Sequence, residues 1–295
     1  MNPLQMLLGI IRHPLNRGRP LSALARFARW QIGSRLLGGP VAVPFAGNTR
    51  LLVARGMTGA TGNIYCGLHE FEDMAFVLHA LRGDDLFVDV GANIGSYTVL
   101  AAGAVGCRCV SIEPVPVTYR RLQDNLALNS VLDRVDARNL AVGSCAGTVR
   151  FTADLDTVNH ALAAGEAADS QITVPVDTLD AVMAGRLPAV IKIDVEGFET
   201  AVIEGASATL GSPSLRAVLL ELNGSGDRYG YSDFSIHERM RSLGFAAMHY
   251  DPSHRRLSEI GNPASAGNTL YVRNAPDLQL RLTQAPRFPV LDTSI

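Results

Sequence analysis

The sequence predicts an α/β fold in which helices cover both faces of a mostly parallel sheet, and three observations carry that prediction. Short apolar runs at residues 86–90, 109–112, 189–194 and 217–222 are too continuous for half-exposed strands, and they alternate with segments of helical spacing. Acidic residues interrupt or end these runs at Asp89, Glu113 and Asp194. The first run passes straight into the tight turn Gly91-Ala92-Asn93-Ile94-Gly95, where a sheet of this class holds a nucleotide-like ligand at a helix N-terminus.

The elements follow in order. Residues 1–38 form a basic helical extension, with Arg12, Arg17, Arg19, Arg26, Arg29 and Arg35 among Leu, Ile, Phe27 and Trp30, broken by Pro14 and Pro20. Two expectations stand for it. It can lie in the headgroup region of a membrane, or it can bury its apolar stripe on its own domain or on a second copy in a homo-oligomer. Residues 39–69 read as a hairpin around Gly47-Asn48 and then a glycine-rich loop. Thr58, Thr61, Asn63, Tyr65 and His69 in that loop offer polar groups to a site.

The main domain is expected over residues 70–275. A helix at 70–81 precedes the first strand, and a second helix at 96–105 is stopped by Gly106. The second strand is followed by a helix at 117–128 and a third strand at 137–142. Two β-rich runs, 148–152 and 172–176, enclose an irregular segment with Asp154, Asp156, Asn159 and His160, read as the acceptor loop. Helices at 199–206 and 232–243 follow the fourth and fifth strands, and residues 245–250 and 269–273 pair antiparallel at the far edge. Residues 276–295 are left as a C-terminal tail.

Composition excludes several classes. A hydrophobic content of 47% supports a sizeable core. With 26 basic and 28 acidic residues, the net charge of −2 provides no global field for nucleic acid, and no nucleic-acid partner is expected. Cys66, Cys107, Cys109 and Cys145 lack paired zinc spacing and read as buried free thiols. No signal peptide or membrane span is visible, so the expected compartment is the cytoplasm, at the inner membrane face if the extension is interfacial.

The chemistry rests on two carboxylates. Asp89, at the end of a first strand, would repel a pyrophosphate but can accept hydrogen bonds from an ammonium group. Glu113 lies 24 residues later, at the end of the second strand, where an acid can hold two ribose hydroxyls. One acid for an amine and one for a ribose describe S-adenosylmethionine. Both could instead cap helices or pair with arginines. A nicotinamide oxidoreductase is the rival enzyme, although the turn is not Gly-x-Gly-x-x-Gly. A scaffold retaining a Rossmann-like domain is the non-catalytic alternative.

The successive motifs Asp89-Val90-Gly91-Ala92-Asn93-Ile94-Gly95, Ile112-Glu113-Pro114, Val176-Asp177-Thr178-Leu179-Asp180 and Ile191-Lys192-Ile193-Asp194-Val195-Glu196-Gly197-Phe198-Glu199 resemble those of FkbM-type methyltransferases. The resemblance covers about residues 70 to 273. It implies a class I methyltransferase Rossmann-like domain, S-adenosylmethionine as cofactor, and O-methylation of a sugar, lipid-linked glycan or secondary metabolite. It also implies cofactor contacts by Glu70, Asp89, Gly91, Asn93, Gly95, Glu113 and Ala141, with Glu70 near the amino-acid end and Ala141 against the adenine.

Methyl transfer from a sulfonium needs alignment and a proton acceptor. Asp194, at the ligand-facing end of the fourth strand, is the leading base, and contact with the cofactor ammonium is the other reading. His160 is the second candidate base, beside Asn159 as an acceptor contact. Lys192, the only lysine, shares a strand face with Asp194 and is expected to pair with an acid. Asp194 and Glu196 raise the possibility of a divalent cation, since hard cations prefer oxygen ligands, but two nearby acids are weak evidence and no metal is assigned.

Overall fold

The computed structural model describes residues 3–152, 159–163, 166, 170–264 and 267–295. Helices α1 (Pro3–Arg12) and α2 (Pro20–Leu36) precede a hairpin of β1 (Val41–Pro44) and β2 (Arg50–Val53). α3 (Thr58–Cys66) and α4 (Phe71–Ala80) lead to β3 (Leu86–Val90), α5 (Ser96–Val99) and β4 (Arg108–Ile112). Next come α6 (Pro116–Leu128), β5 (Val135–Arg138), β6 (Ala141–Val142), β7 (Gly147–Thr152) and β8 (Gln171–Asp177). α7 (Leu179–Met183), β9 (Val190–Ile193), α8 (Glu199–Glu204), α9 (Ser207–Gly211) and β10 (Ala217–Glu221) continue the main domain. α10 (Asp233–Ser242), β11 (Ala246–Asp251), β12 (Arg256–Glu259), β13 (Asn268–Val272), α11 (Ala275–Thr283), β14 (Pro289–Val290) and β15 (Thr293–Ser294) complete the chain.

The main sheet has the order β12-β11-β13-β10-β9-β3-β4-β5. The run from β10 to β5 is parallel, whereas β13, β11 and β12 are antiparallel. Buried Val, Ile and Leu fill β3, β4, β9 and β10, as expected of strands covered on both faces. From β3 the chain winds outward to β4 and β5, then returns to lay β9 on the other side of β3. The carboxyl ends of β3 and β9 therefore flank a topological switch point, where α/β sheets open a crevice.

Several expectations need correction. The glycine-rich segment expected as a loop is the helix α3, and Gly62 has a packing reason there, since a Cβ would stand 2.5 Å from the His69 ring. The expected third strand is split. Asn139 donates from Nδ2 to the carbonyls of Glu113 and Pro114, turning the chain so that β5 joins the main sheet while β6 joins β8 and β7 in a small one. The C-terminal tail is ordered: α11 packs on α4, Arg281 pairs with Asp85, and Leu282 and Val290 are buried. Cys145 is exposed, unlike the other three cysteines. Asp154 and Asp156 of the expected acceptor loop lie outside the described residues. Among the described residues no helix is long and apolar enough to cross a membrane.

Candidate functional site

A cleft of about 760 Å³ opens over the carboxyl ends of β3, β4, β9 and β10. That volume suits a ligand of cofactor size. Gly91 explains how the strand ends meet: its φ is +79°, and a Cβ would stand 1.8 Å from the carbonyl oxygen of Asp194. Gly95, at φ +89°, likewise leaves room for Leu122. Asn93 between them adopts φ +51°, with its own Oδ1 accepting from the Ile94 amide, a conformation asparagine tolerates.

Glu113 ends β4 and lines the cleft. Its two oxygens accept from the amides of Asn93, at 3.0 Å, and Val115, at 2.9 Å, which ties the glycine turn to the second strand. Burial pushes its carboxyl up to about 7, against the pull of those two amides. Asp89 is placed differently from its expectation: it does not line the cleft but lies one layer beneath, 1% exposed. The alternation of β3 turns its side chain toward α5, where Oδ2 accepts from the Thr98 hydroxyl at 2.7 Å. Oδ1 is buried with no hydrogen-bond partner among the described residues, and such an oxygen calls for a donor.

Lys192 lies opposite Asp89 in the β3–β9 register. Its ammonium is buried, 2.7 Å from Asp194 Oδ2 and 4.8 Å from the centre of the Tyr97 ring. Burial opposes that charge, yet Asp194, Asp89 and Glu70 together hold the lysine above its ordinary range. The Tyr97 hydroxyl donates to Glu70 Oε2 at 2.7 Å, and Glu70 lines the cleft. The structure thus joins Glu70, Tyr97, Lys192 and Asp194 in one continuous polar chain.

The turn after β9 carries the rest. Glu199 Oε1 accepts from the amides of Val195, at 3.0 Å, and Gly197, at 3.2 Å, and so holds the turn closed. Glu196 between them takes φ +55°, a conformation costing about 1–3 kcal/mol for a non-glycine residue. Gly197 follows at φ +100°, where a Cβ would stand 2.5 Å from the Ser225 carbonyl. Glu221, from the end of β10, completes a group in which carboxylate oxygens of Asp194, Glu196 and Glu221 lie within 4.8 Å of one another. The Lys192 ammonium supplies positive charge to this group from within the protein.

The three carboxyls are unequal. Although burial works against its charge, Asp194 is held below the usual carboxylate range by Lys192. Glu221 is pushed up to about 9 by burial and by the charges of Asp194 and Glu196, so it carries a proton at neutral pH. Glu196 is raised to about 7, first by burial and then by Asp194 and Glu199. Asp194, the expected base, is therefore the poorest proton acceptor of the three.

The remaining candidates divide. Ala141 and Asn159 line the cleft, Ala141 from the small sheet, and Asn159 Oδ1 accepts from the Thr152 hydroxyl at 3.1 Å. His160 does not line it. Its ring is turned to Glu166, 3.0 Å away, and its amide donates to Thr152. The N-terminal extension contributes a wall through Met6 and Ile10 of α1 and through His13 just after it, and α3 contributes Asn63 and Tyr65. Sequence reasoning missed Glu221, Glu199 and Tyr97. Glu221 carried the same signal as Asp89 and Asp194, an acid at the end of an apolar strand.

A mostly parallel α/β sheet with an antiparallel far edge, a glycine turn at its switch point and carboxylates on the adjoining strand ends defines the class I methyltransferase fold. The domain described as the methyltransferase FkbM domain matches residues 89–247, more than half of the chain, and the chain belongs to that family. This overturns the nicotinamide alternative. The methyltransferase sdnD of Sordaria araneosa is 35% identical over 83 residues, 28% of this chain and 32% of its own length. The hexuronic acid methyltransferase AglP of Haloferax volcanii is 27% identical over 161 residues, 54% of this chain and 64% of its own. The matched regions thus span from about a third to just under two thirds of these curated relatives. Among solved structures, the precorrin-6y C5,15-methyltransferase of Geobacter metallireducens is similar with TM-score 0.40 and 10% identity, over 70% of this chain and 89% of its own.

Proposed function

We propose that the protein transfers the methyl group of S-adenosylmethionine to a hydroxyl of a sugar, lipid-linked glycan or secondary metabolite. The observation that carries this reading is the Glu113 carboxylate, lining the cleft beside a glycine turn at the switch point. The residues fit the cofactor. Gly91 lets the turn pass close beside the end of β9, Glu113 offers lone pairs to the ribose hydroxyls, and Glu70, which lines the same cleft, offers a carboxylate to the amino-acid end. When bound, the cofactor supplies a methyl group already activated on a sulfonium.

The chain then has to place a hydroxyl and remove its proton. Glu196 is the proton acceptor in this reading, because it lines the cleft and its carboxyl, raised to about 7, is matched to neutral pH. Asp194, kept ionised by Lys192, accepts a hydrogen bond and orients the hydroxyl. Phe151 and Phe198 give the cleft an apolar wall of the kind a sugar ring can lie against. The name of the Haloferax relative, a hexuronic acid methyltransferase, supports a carbohydrate acceptor. The carboxyls here favour one that is neutral near the methylated oxygen.

Calorimetry with S-adenosylmethionine and its demethylated product tests the reading. Saturable binding is expected, with Glu113→Ala weakening it about tenfold or more through lost hydrogen bonds to a charged acceptor. Absence of binding, or a folded Glu113→Ala that binds like the parent, would sink it. Mass spectrometry of cell glycans and lipids with and without the protein then identifies the acceptor by the added methyl group.

A further inference from the structure

The first 69 residues hold eight arginines and not one acidic residue, so all 28 acidic residues of the chain lie beyond them. Half of the exposed large hydrophobic side chains among the described residues sit in the same region: Leu4, Leu8, Leu21, Ile32, Leu36 and Leu37. These side chains follow from how the two helices pack. α2 turns Ala23, Phe27 and Trp30 inward, with the Phe27 ring 5.1 Å from Tyr65 of α3. Helical spacing of 100° per residue then places Leu21, Ala25, Ala28 and Ile32 together on the opposite face, with Leu36 beside them. Leu21 is 81% exposed, Ile32 62% and Leu36 79%. Arg29 and Arg35 flank this stripe and are themselves exposed. α1 repeats the pattern: Met6 and Ile10 face the cleft, while Leu4 and Leu8 face solvent.

We infer that the outer face of α1 and α2 docks on an anionic phospholipid surface. Apolar side chains interleaved with arginines suit the headgroup boundary, where leucines enter the acyl region and guanidinium groups meet phosphates. Charge argues against the other occupants. A second copy docking by the same face would set arginines against arginines with no acid on either side. Nucleic acid would leave Leu21, Ile32 and Leu36 without an apolar partner. The surface bears on the acceptor, a consequence that rests on the proposed methyl transfer: α1 is both a wall of the cleft and part of the docking face. The geometry therefore favours a lipid-linked acceptor over a freely diffusing one.

Co-sedimentation of the full chain with vesicles tests the docking. Vesicles of phosphatidylcholine containing phosphatidylglycerol should bind at least about tenfold more protein than phosphatidylcholine alone, and raised salt should weaken the binding. Ile32→Ser with Leu36→Ser should lower partitioning about tenfold, and Arg29→Gln with Arg35→Gln should remove the lipid preference. Thermal melts and S-adenosylmethionine calorimetry on the same variants should match the parent, showing that the fold is intact. Equal binding to neutral vesicles, variants that partition like the parent, or serine variants that dissolve a dimer and leave vesicle binding unchanged would each overturn the docking. Failure of the parent to bind S-adenosylmethionine would overturn the proposed function and leave the docking result standing.

Discussion

Lys192 Nζ stands 2.7 Å from Asp194 Oδ2, two residues along the same strand face, and Asp89 lies across from the lysine in the strand register. The chain's only lysine thus pairs with Asp194 and lends positive charge to the buried Asp89 on the neighbouring strand. Removing one member of such a group leaves charge buried without compensation, at a cost of about 3–5 kcal/mol. Lys192→Met is expected to lose stability of that order in urea unfolding. The double variant with Asp194→Asn should recover part of it, and an additive double variant would show that the two groups are not coupled.

Gly91 allows a contrast with Gly185. Both have positive φ, +79° and +81°, but a Cβ at position 185 would meet nothing within 4 Å, whereas one at position 91 would collide with Asp194 backbone. Gly185→Ala should therefore cost only backbone strain, about 1–2 kcal/mol. Gly91→Ala should exceed the roughly 4 kcal/mol that single substitutions rarely pass, because no side chain there can move aside. Equal melting temperatures for the two variants would contradict the close approach of β3 and β9.

What the sequence could show followed from local pattern. Continuous apolar runs marked β3, β4, β9 and β10, and the acids at their ends marked the cleft, because burial and strand length are both written in consecutive residues. The face taken by a single side chain was not so written. Asp89 pointed away from the cleft, and Glu196 entered it only because Glu199 folds the turn back on the Val195 and Gly197 amides. α3 was hidden by its two glycines, which lower helix propensity, although Gly62 is where His69 packs. The role of α1 depended on Met6 and Ile10 lining the same cleft as the glycine turn, more than fifty residues away, for which periodicity gives no signal.

The buried carboxyls set a pH dependence of stability. Asp73, Glu113, Glu196 and Glu199 are raised to about 7 and Glu221 to about 9, chiefly by burial. A carboxyl whose folded value exceeds its unfolded one binds its proton more tightly in the fold. Its contribution is fully present below the unfolded value, near 4, and is lost as pH rises through the folded value. The ligand-free protein should therefore melt at lower temperature at about pH 9 than at about pH 5.5. A flat profile would mean that these groups are solvated.

Glu196 gives the sharpest chemical test, once an acceptor is in hand. Facing it are Asp194 and Glu221 from the strand ends, Glu199 from α8, and the more distant charges of Arg228 and His160. Burial raises its carboxyl first, and the acids outweigh the cations, so it loses its proton only near neutrality. As the proton acceptor it must be ionised to act, and kcat/KM should rise with pH and level off above about 7. Glu196→Gln keeps the size and removes the basicity, so turnover should fall about 10²–10⁴-fold and the ascending limb should vanish, with S-adenosylmethionine affinity unchanged. Asp194→Asn should act differently. It removes a group already ionised across this range, so the limb should persist but move to lower pH, because a negative charge that raises Glu196 is gone, while turnover falls through poorer orientation of the hydroxyl. If instead Asp194→Asn abolishes the limb and Glu196→Gln retains it, the proton goes to Asp194, and the Lys192 pairing described above does not suppress its basicity.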